Sequence, residues 1–228
     1  MNNIILQGIV GSTAQGLARE ESDIDRLGVF VAPTVDVAGL HWNIHKESKV
    51  TNDPDITIHE IGKYLRLALK CNPSVLELLW LPEFEFKVDP FGDRLLSIRD
   101  AFLSERAVRS AYGGYARQQA RKLEERGDGT FGQSPHLHKR TAKHGRHLLR
   151  LLRQGRELLE TGNLTVKVHN PDVYFAFDNM TTEQMLNVYA SEDEAFMRAK
   201  SILPQEPDEE IVRYFLKYVR ITFLTEPE

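Results

Sequence analysis

Residues 10 to 31 read VGSTAQGLAREESDIDRLGVFV, and this stretch constrains the fold more than any other part of the chain. A Gly-Ser pair, Gly11 and Ser12, closes an apolar run. A small-residue segment follows, and Asp23 and Asp25 then stand two apart at the start of a second apolar run. In a strand successive side chains alternate faces, so this spacing predicts that Asp23 and Asp25 share one face while Ile24 points into the core. Two carboxylates on one face suit a hard cation such as magnesium, which keeps several waters and takes one or two protein carboxylates alongside substrate phosphates. Backbone N–H groups at a turn entering a helix hold phosphate oxygens, the complementary half of such a site.

Gly11, Ser12, Gly16, Ser22, Asp23 and Asp25 together resemble the active-site signature of the DNA polymerase beta superfamily of nucleotidyltransferases. The likeness extends to one branch, the predicted nucleotidyltransferases of bacteria and phages. There an Asp-Ile-Asp strand continues into Gly-Val-Phe, here Gly28, Val29 and Phe30, and a later helix carries the pattern seen here as KCNPSVLELL. It covers about the first 100 residues well and the rest loosely. Two positions depart from the pattern. Gln15 stands where relatives often have arginine or tyrosine, and the order after the second aspartate is swapped to Arg26-Leu27.

The resemblance implies an α/β (α+β) nucleotidyltransferase fold with a mixed sheet, followed by a mainly helical C-terminal half. The expected division is a catalytic domain over 1–100 and a helical domain over 101–228. Ile4–Val10, Asp25–Ala32 and Asp55–His59 read as strands. Ser12 or Thr13 is expected to cap a helix running through Leu17 to Glu20, and Pro33 to about Pro54 reads as a loop holding His41, Trp42 and His45. Helices are expected over Glu60–Leu69, Val75–Trp80 with Ser74 as cap, Asp93–Leu103, Glu105–Arg126, Pro135–Thr161 and Glu209–Phe223. Gly127 to Thr130 reads as a turn or mobile loop. Leu164 to Phe177 has mixed strand-like character and stays unassigned.

A hydrophobic fraction of 41% and a charged fraction of 27% describe an ordinary globular protein rather than a disordered or membrane-spanning one. One cysteine, Cys71, excludes an internal disulfide and reads as core. The N-terminal run is too short for a signal segment and lacks a basic flank, so a cytoplasmic protein without a membrane partner is expected.

The net charge of -4 conceals an asymmetry. Residues 101–160 hold 13 Lys and Arg against 6 Asp and Glu, a local +7, whereas 1–100 come to -5 and 161–228 to -6. The excess concentrates in KRTAKHGRHLLRLLRQGRELL, where about 100° per residue places Lys139, Lys143, Arg146, Arg150 and Arg153 in one sector with His147 at its border. Leu148, Leu149, Leu151, Leu152, Leu158 and Leu159 fall opposite. This predicts a leucine-packed helix with a cationic ridge that binds triphosphate or the phosphates of a nucleic acid, the alternative being a solvated face. His136, His138, His144 and His147 lack cysteine partners and do not read as a zinc site. Tyr115, Gln118 and Gln119 are candidates for base contacts or for helix packing.

Transfer of a nucleotidyl group uses two metals roughly 3.5–4 Å apart, which calls for a third carboxylate on a neighbouring strand. Asp55 is the expected one, with Asp53 and Glu60 as alternatives. Lys63, Arg66 and Lys70 form a stripe on the following helix, and Lys63 is the expected phosphate contact. The resemblance also draws Asn72 and Glu77 into view. The expected activity is magnesium- or manganese-dependent transfer of an NMP from ATP or another NTP to a hydroxyl acceptor, an RNA end first, with pyrophosphate released. Asp23, Asp25 and Asp55 are the expected metal ligands, Gly11, Ser12, Lys63, Lys143 and His147 the nucleotide contacts, and Arg150 and Arg153 the acceptor contacts. Nucleotidylation of a small molecule or protein hydroxyl, or a module that binds nucleotide or RNA without turnover, are the rival readings. The preferred NTP, the acceptor and the oligomeric state are not fixed by the sequence.

Overall fold

The computed structural model describes residues 3–39, 47–88, 90–125 and 135–224, with side chains throughout except at 135–138. The chain forms two compact units, Met1–Leu103 with Glu206–Glu228, and Ser104–Gln205.

The first unit is built on a mixed five-stranded sheet of order β3-β4-β2-β1-β5. Its strands are β1 (Asn3–Val10), β2 (Asp25–Val31), β3 (Ser48–Asn52), β4 (Asp55–Glu60) and β5 (Phe86–Lys87). β1 pairs antiparallel with β2 from Asn3↔Val31 to Val10↔Asp25, and β2 pairs parallel with β4 from Arg26↔Ile56 to Phe30↔Glu60. β2 is central, and its Leu27, Val29, Phe30 and Val31 are all buried, so both faces of the sheet are covered. α3 (Ile61–Ala68) and α4 (Pro73–Leu79) pack against these strands, while Phe30, Ala32 and Ile58 with Ile4, Val37 and Ile56 form a second cluster. Cys71 is buried, in keeping with its reading as core.

Several elements differ from expectation. The helix after Gly11 is a single turn, α1 (Gly11–Ala14), followed by Gly16 in the left-handed region at φ +70. The segment read as a loop up to Pro54 holds α2 (Thr34–Val37) and β3, and residues 40–46, with His41, Trp42 and His45, lie outside the described residues. Asn72 rather than Ser74 caps α4, its side chain accepting from the N–H of Ser74 and Val75. The helix expected over Asp93–Leu103 is α5 (Phe91–Ser97) plus a 3-10 turn at Arg99–Phe102.

The second unit is helical: α6 (Glu105–Glu124), α7 (Pro135–Thr161), α8 (Pro171–Phe175), a 3-10 turn at Ala176–Asn179, and α9 (Thr182–Arg198). The stretch left unassigned contains α8 and no strand. α9 escaped the sequence reading although a capping box announces it, the Thr181 hydroxyl accepting from the Gln184 N–H while the Gln184 side chain accepts from the Thr181 N–H. The turn expected at Gly127–Thr130 lies outside the described residues.

α10 (Glu209–Thr222) corrects the expected domain limits, because it belongs to the first unit rather than the helical one. Val212, Phe215 and Val219 are buried, and Arg220 reaches across to Glu60 with Nη1–Oε1 at 2.7 Å and Nη2–Oε2 at 2.9 Å. Thr34 completes the join by donating its hydroxyl to the Arg220 carbonyl and its N–H to that of Phe223. No helix among the described residues is long and apolar enough to cross a membrane.

Candidate active site

β1 ends at Val10, and Gly11 turns the chain away with φ +68, a conformation that side-chain-bearing residues rarely adopt. A second constraint reinforces the first. A Cβ at Gly11 would lie 2.4 Å from Oδ2 of Asp25, so the turn rests directly on that carboxylate. The Gly11 N–H donates to Oε1 of Glu77 at 2.8 Å, and the Gln15 side-chain amide donates to Oε2 of the same residue at 2.8 Å. Glu77 and Gln15 are both buried. The departure at position 15 therefore has a local physical reason, since Gln15 is a hydrogen-bond partner of Glu77.

Asp25 opens β2, whereas Asp23 precedes it and is exposed. The alternation expected from Asp23 onward begins only at Asp25, because the ladder with β1 stops at Val10↔Asp25. Ile24 accordingly is 46% exposed rather than in the core. Ser22 braces the approach, its hydroxyl accepting from the Arg19 N–H at 2.8 Å. The swapped pair is also accounted for: Arg26 forms an ion pair with Glu85 at 2.9 Å, and Leu27 is buried.

Asp55 opens β4 one residue before the Arg26↔Ile56 pair, so Asp25 and Asp55 stand at the same end of adjacent parallel strands, which run about 4.8 Å apart. Glu60 lies at the far end of β4, buried, paired with Arg220 and accepting from the Gly62 N–H at the start of α3. Asp53 is exposed in the β3–β4 turn. Among the described residues no group of three or more His, Cys, Asp or Glu side chains is close enough to hold a metal ion.

Lys63 is not brought to these carboxylates. Its ammonium donates to the Ser48 hydroxyl at 2.7 Å, and Ser48 pairs with His59, four residues and about 13 Å along β4 from Asp55. Burial, followed by the Lys63 charge, lowers the pKa of His59. Arg66 pairs with Glu47 at 2.8 Å.

In the second unit the six leucines expected on the packed side of α7 are all buried. The opposite sector is not an open ridge. Arg146 pairs with Asp178, Arg153 with Glu192 at 2.7 Å, and Arg150 is only 5% exposed, donating to Gln154 Oε1 at 2.6 Å and to His147 Nδ1 at 3.0 Å. The physical reason is that α7 is flanked by α6 and also by α8, the 3-10 turn and α9, which bring Tyr174, Asp178 and Glu192 over the arginines. Lys139 and Lys143 remain exposed.

Because Arg150 has only protons to offer, Nδ1 of His147 is an acceptor and the ring proton sits on Nε2. Burial, then the charges of Arg150, His144, Lys122 and Lys143, push the His147 pKa down to about 3. Lys122 lies on α6, outside the cationic run of α7. Its heptad neighbours Tyr115 and Gln118 are exposed on the same helix, while Gln119 is buried and paired with His144 Nδ1 at 2.7 Å. The side chains of His136 and His138 lie outside the described residues.

No curated protein matches the chain. Among solved structures it is similar to a nucleotidyltransferase-like protein from Exiguobacterium sibiricum 255-15, at 14% identity and a TM-score of 0.37, over 86% of this chain and 69% of that one. The sequence profile of RlaP, described as the RNA repair pathway DNA polymerase beta family, matches residues 2–189. That span takes in the Gly-Ser turn, the carboxylate strands and most of the helical unit, and the chain therefore belongs to the RNA repair pathway DNA polymerase beta family, whose members are nucleotidyltransferase-type enzymes.

Proposed function

We propose that this chain transfers an NMP from an NTP, ATP being the first candidate, to a hydroxyl at an RNA end and releases pyrophosphate. The observation that carries the reading is Gly11 folded onto the Asp25 carboxylate, with Asp55 in register on the adjacent parallel strand. The donors are carboxylates with no sulfur or imidazole among them, which is the chemistry of a hard cation. They do not form a ready-made cage among the described residues, which fits magnesium or manganese arriving with the triphosphate and keeping its own waters.

Asp23 and Asp25 would hold the cation, and Asp55 would complete a second position. A bound divalent ion supplies neutralisation of the triphosphate charge and its alignment for in-line displacement. With the Gly11 N–H committed to Glu77, the phosphate contact of the turn falls to Ser12. The acceptor oxygen bonds to the α-phosphorus as the bond to the bridging oxygen breaks. Pyrophosphate leaves with that electron pair, and Asp55 accepts the hydroxyl proton.

RNA is favoured as acceptor by the description of the family and by the helical unit, where Tyr115 and Gln118 of α6 share a face with Lys122 and where Lys122 and Lys143 both bear on His147. Lys122 and Lys143 replace Arg150 and Arg153 as the phosphate contacts in this reading. The test is incubation with each α-labelled NTP, magnesium or manganese, and RNA, protein and metabolite acceptors. Label should appear on RNA with stoichiometric pyrophosphate. Label on a metabolite or protein alone would move the acceptor, and RNA binding without label on anything would reduce the chain to a binding module.

A further inference from the structure

We infer that Glu77 and Gln15 are positioning residues that clamp the Gly11–Ser12 turn against Asp25 and thereby set how tightly the carboxylates hold a divalent cation. This rests on the reading of Asp25 as a metal ligand. α1 is four residues long, too short to be held by its own hydrogen bonds. Glu77 grips both of its ends, with Oε1 on the Gly11 N–H and Oε2 on the Gln15 amide. A carboxylate that is 3% exposed, among Val75, Leu76, Leu78 and Leu79, is costly to bury unless its oxygens are engaged, and here both are.

The base of the clamp is itself fixed. Asn72 caps α4, Pro73 sits at its first position, and Tyr64 donates its hydroxyl to the Val75 carbonyl at 3.0 Å. The Asn-Pro-x-x-x-Glu stretch thus reads as a cap, a helix start and a side chain presented to Gly11. The lever is the contact between Gly11 and Asp25, because any shift of the turn moves the carboxylate it rests on. Groups that orient a metal ligand from behind typically change metal affinity about 10- to 100-fold when altered.

Glu77→Met removes both acceptors, whereas E77Q keeps both bonds, its oxygen accepting from Gly11 while its N–H donates to the oxygen of Gln15 with that amide turned over. Q15E sets two carboxylates against each other. The double variant Q15E/E77Q restores the pattern, since the amide oxygen at 77 accepts from Gly11 while its N–H donates to the carboxylate at 15. Mn2+ binding, measured by electron paramagnetic resonance with and without an α,β-methylene ATP analogue, reads the effect without turnover. Glu77→Met is expected to weaken Mn2+ by about tenfold, E77Q to stay near wild type, and the double variant to recover most of what Q15E loses. Leu95→Ala, a core variant of the same unit, should lower thermal stability and leave Mn2+ affinity unchanged. Gln15→Met, which removes one bond only, serves where Glu77→Met does not fold, with a smaller loss expected.

If wild type binds Mn2+ in an Asp25-dependent way and both Glu77→Met and Gln15→Met bind it equally well, the clamp is overturned and the proposed function stands. An E77Q that binds Mn2+ as weakly as Glu77→Met also overturns it, because the charge of Glu77 rather than its bonding would then matter. Absence of any Asp25-dependent Mn2+ uptake removes the proposed function and the clamp together.

Discussion

Asp25 and Asp55 sit at the openings of two parallel strands, whereas Arg146, Arg150 and Arg153 sit in the middle of a helix flanked on two sides. The arginines are dense like charge in the sequence, whereas the two carboxylates become neighbours only when β2 pairs with β4. At a strand opening the ladder has just begun, and the carboxylates are left at the edge of the packed layer. In the middle of α7 the chain returns from 30 to 40 residues downstream and supplies Asp178 and Glu192 as counter-charges. The +7 of residues 101–160 is thus partly spent against the -6 of residues 161–228. Charge in a sequence becomes charge on a surface only where no later element covers it.

The contrast breaks most visibly at Asp25. Asp25→Ala should lower turnover by about 1,000-fold with a melting temperature close to wild type, as measured by labelled transfer and calorimetry. Asp55→Asn should match it in turnover while still binding NTP with Mn2+. Retention of substantial turnover by Asp25→Ala would withdraw the metal assignment.

Gly11→Ala comes next. It imposes a left-handed residue with a side chain, about 1–2 kcal/mol, and drives a methyl onto the Asp25 carboxylate. A displacement of that kind near reacting groups costs about 100-fold in rate. Comparing kcat with urea stability separates the two effects, and a variant that loses stability with unchanged kcat would detach the turn from the chemistry.

These two positions also mark how far the sequence can be read. The turn at Gly11 and the strand openings at Asp25 and Asp55 are legible because a glycine closing an apolar run and a strand start are local properties. Glu77 stood out only through the resemblance, since its partners are 62 and 66 residues away. Lys63 and the arginines depend on distant partners in the same way. Helical spacing tells which side chains share a sector, but Ser48, Asp178 and Glu192 decide what that sector meets. α10 could be recognised as a helix, yet its place depended on the Arg220–Glu60 pair across 160 residues.

Arg150 tests the helical side of the comparison. Its removal strands the acceptors on His147 and Gln154 inside the protein, at about 2–3 kcal/mol, so Arg150→Ala should fail in urea unfolding well before it fails in RNA binding. A stable Arg150→Ala protein with lost RNA affinity would return the arginine to the surface ridge.

His147 gives the same interior a pH signature. Its folded pKa, about 3, lies below the ordinary value, so the unfolded chain binds the proton first. This contribution is fully present above pH 6.5 and is lost as pH falls toward 3, at about 1.4 kcal/mol per pH unit. Arg150, Lys122 and Lys143 stay charged over that range, and His144 is common to both proteins being compared. His147→Asn keeps an acceptor for Arg150 without a titrating ring, and its unfolding free energy should fall less steeply than wild type between pH 7 and pH 5. Parallel curves would mean that His147 takes up its proton in the folded state.

The smallest effect is the one that best resolves which cations face a ligand. Lys143→Gln and Lys122→Gln should each weaken RNA by only a few-fold, but each should lower the slope of log affinity against log salt by about 0.7 for a single strand. Arg153→Gln provides the contrast, because Glu192 already neutralises that guanidinium and few counterions are released from it. Its slope should stay at the wild-type value while its unfolding free energy drops. Titrations of one short RNA at two salt concentrations would place each cation on one side or the other. Equal slope changes for Arg153 and Lys143 would mean that α7 presents its whole ridge, and the distinction between covered and uncovered charge would fail where it was drawn.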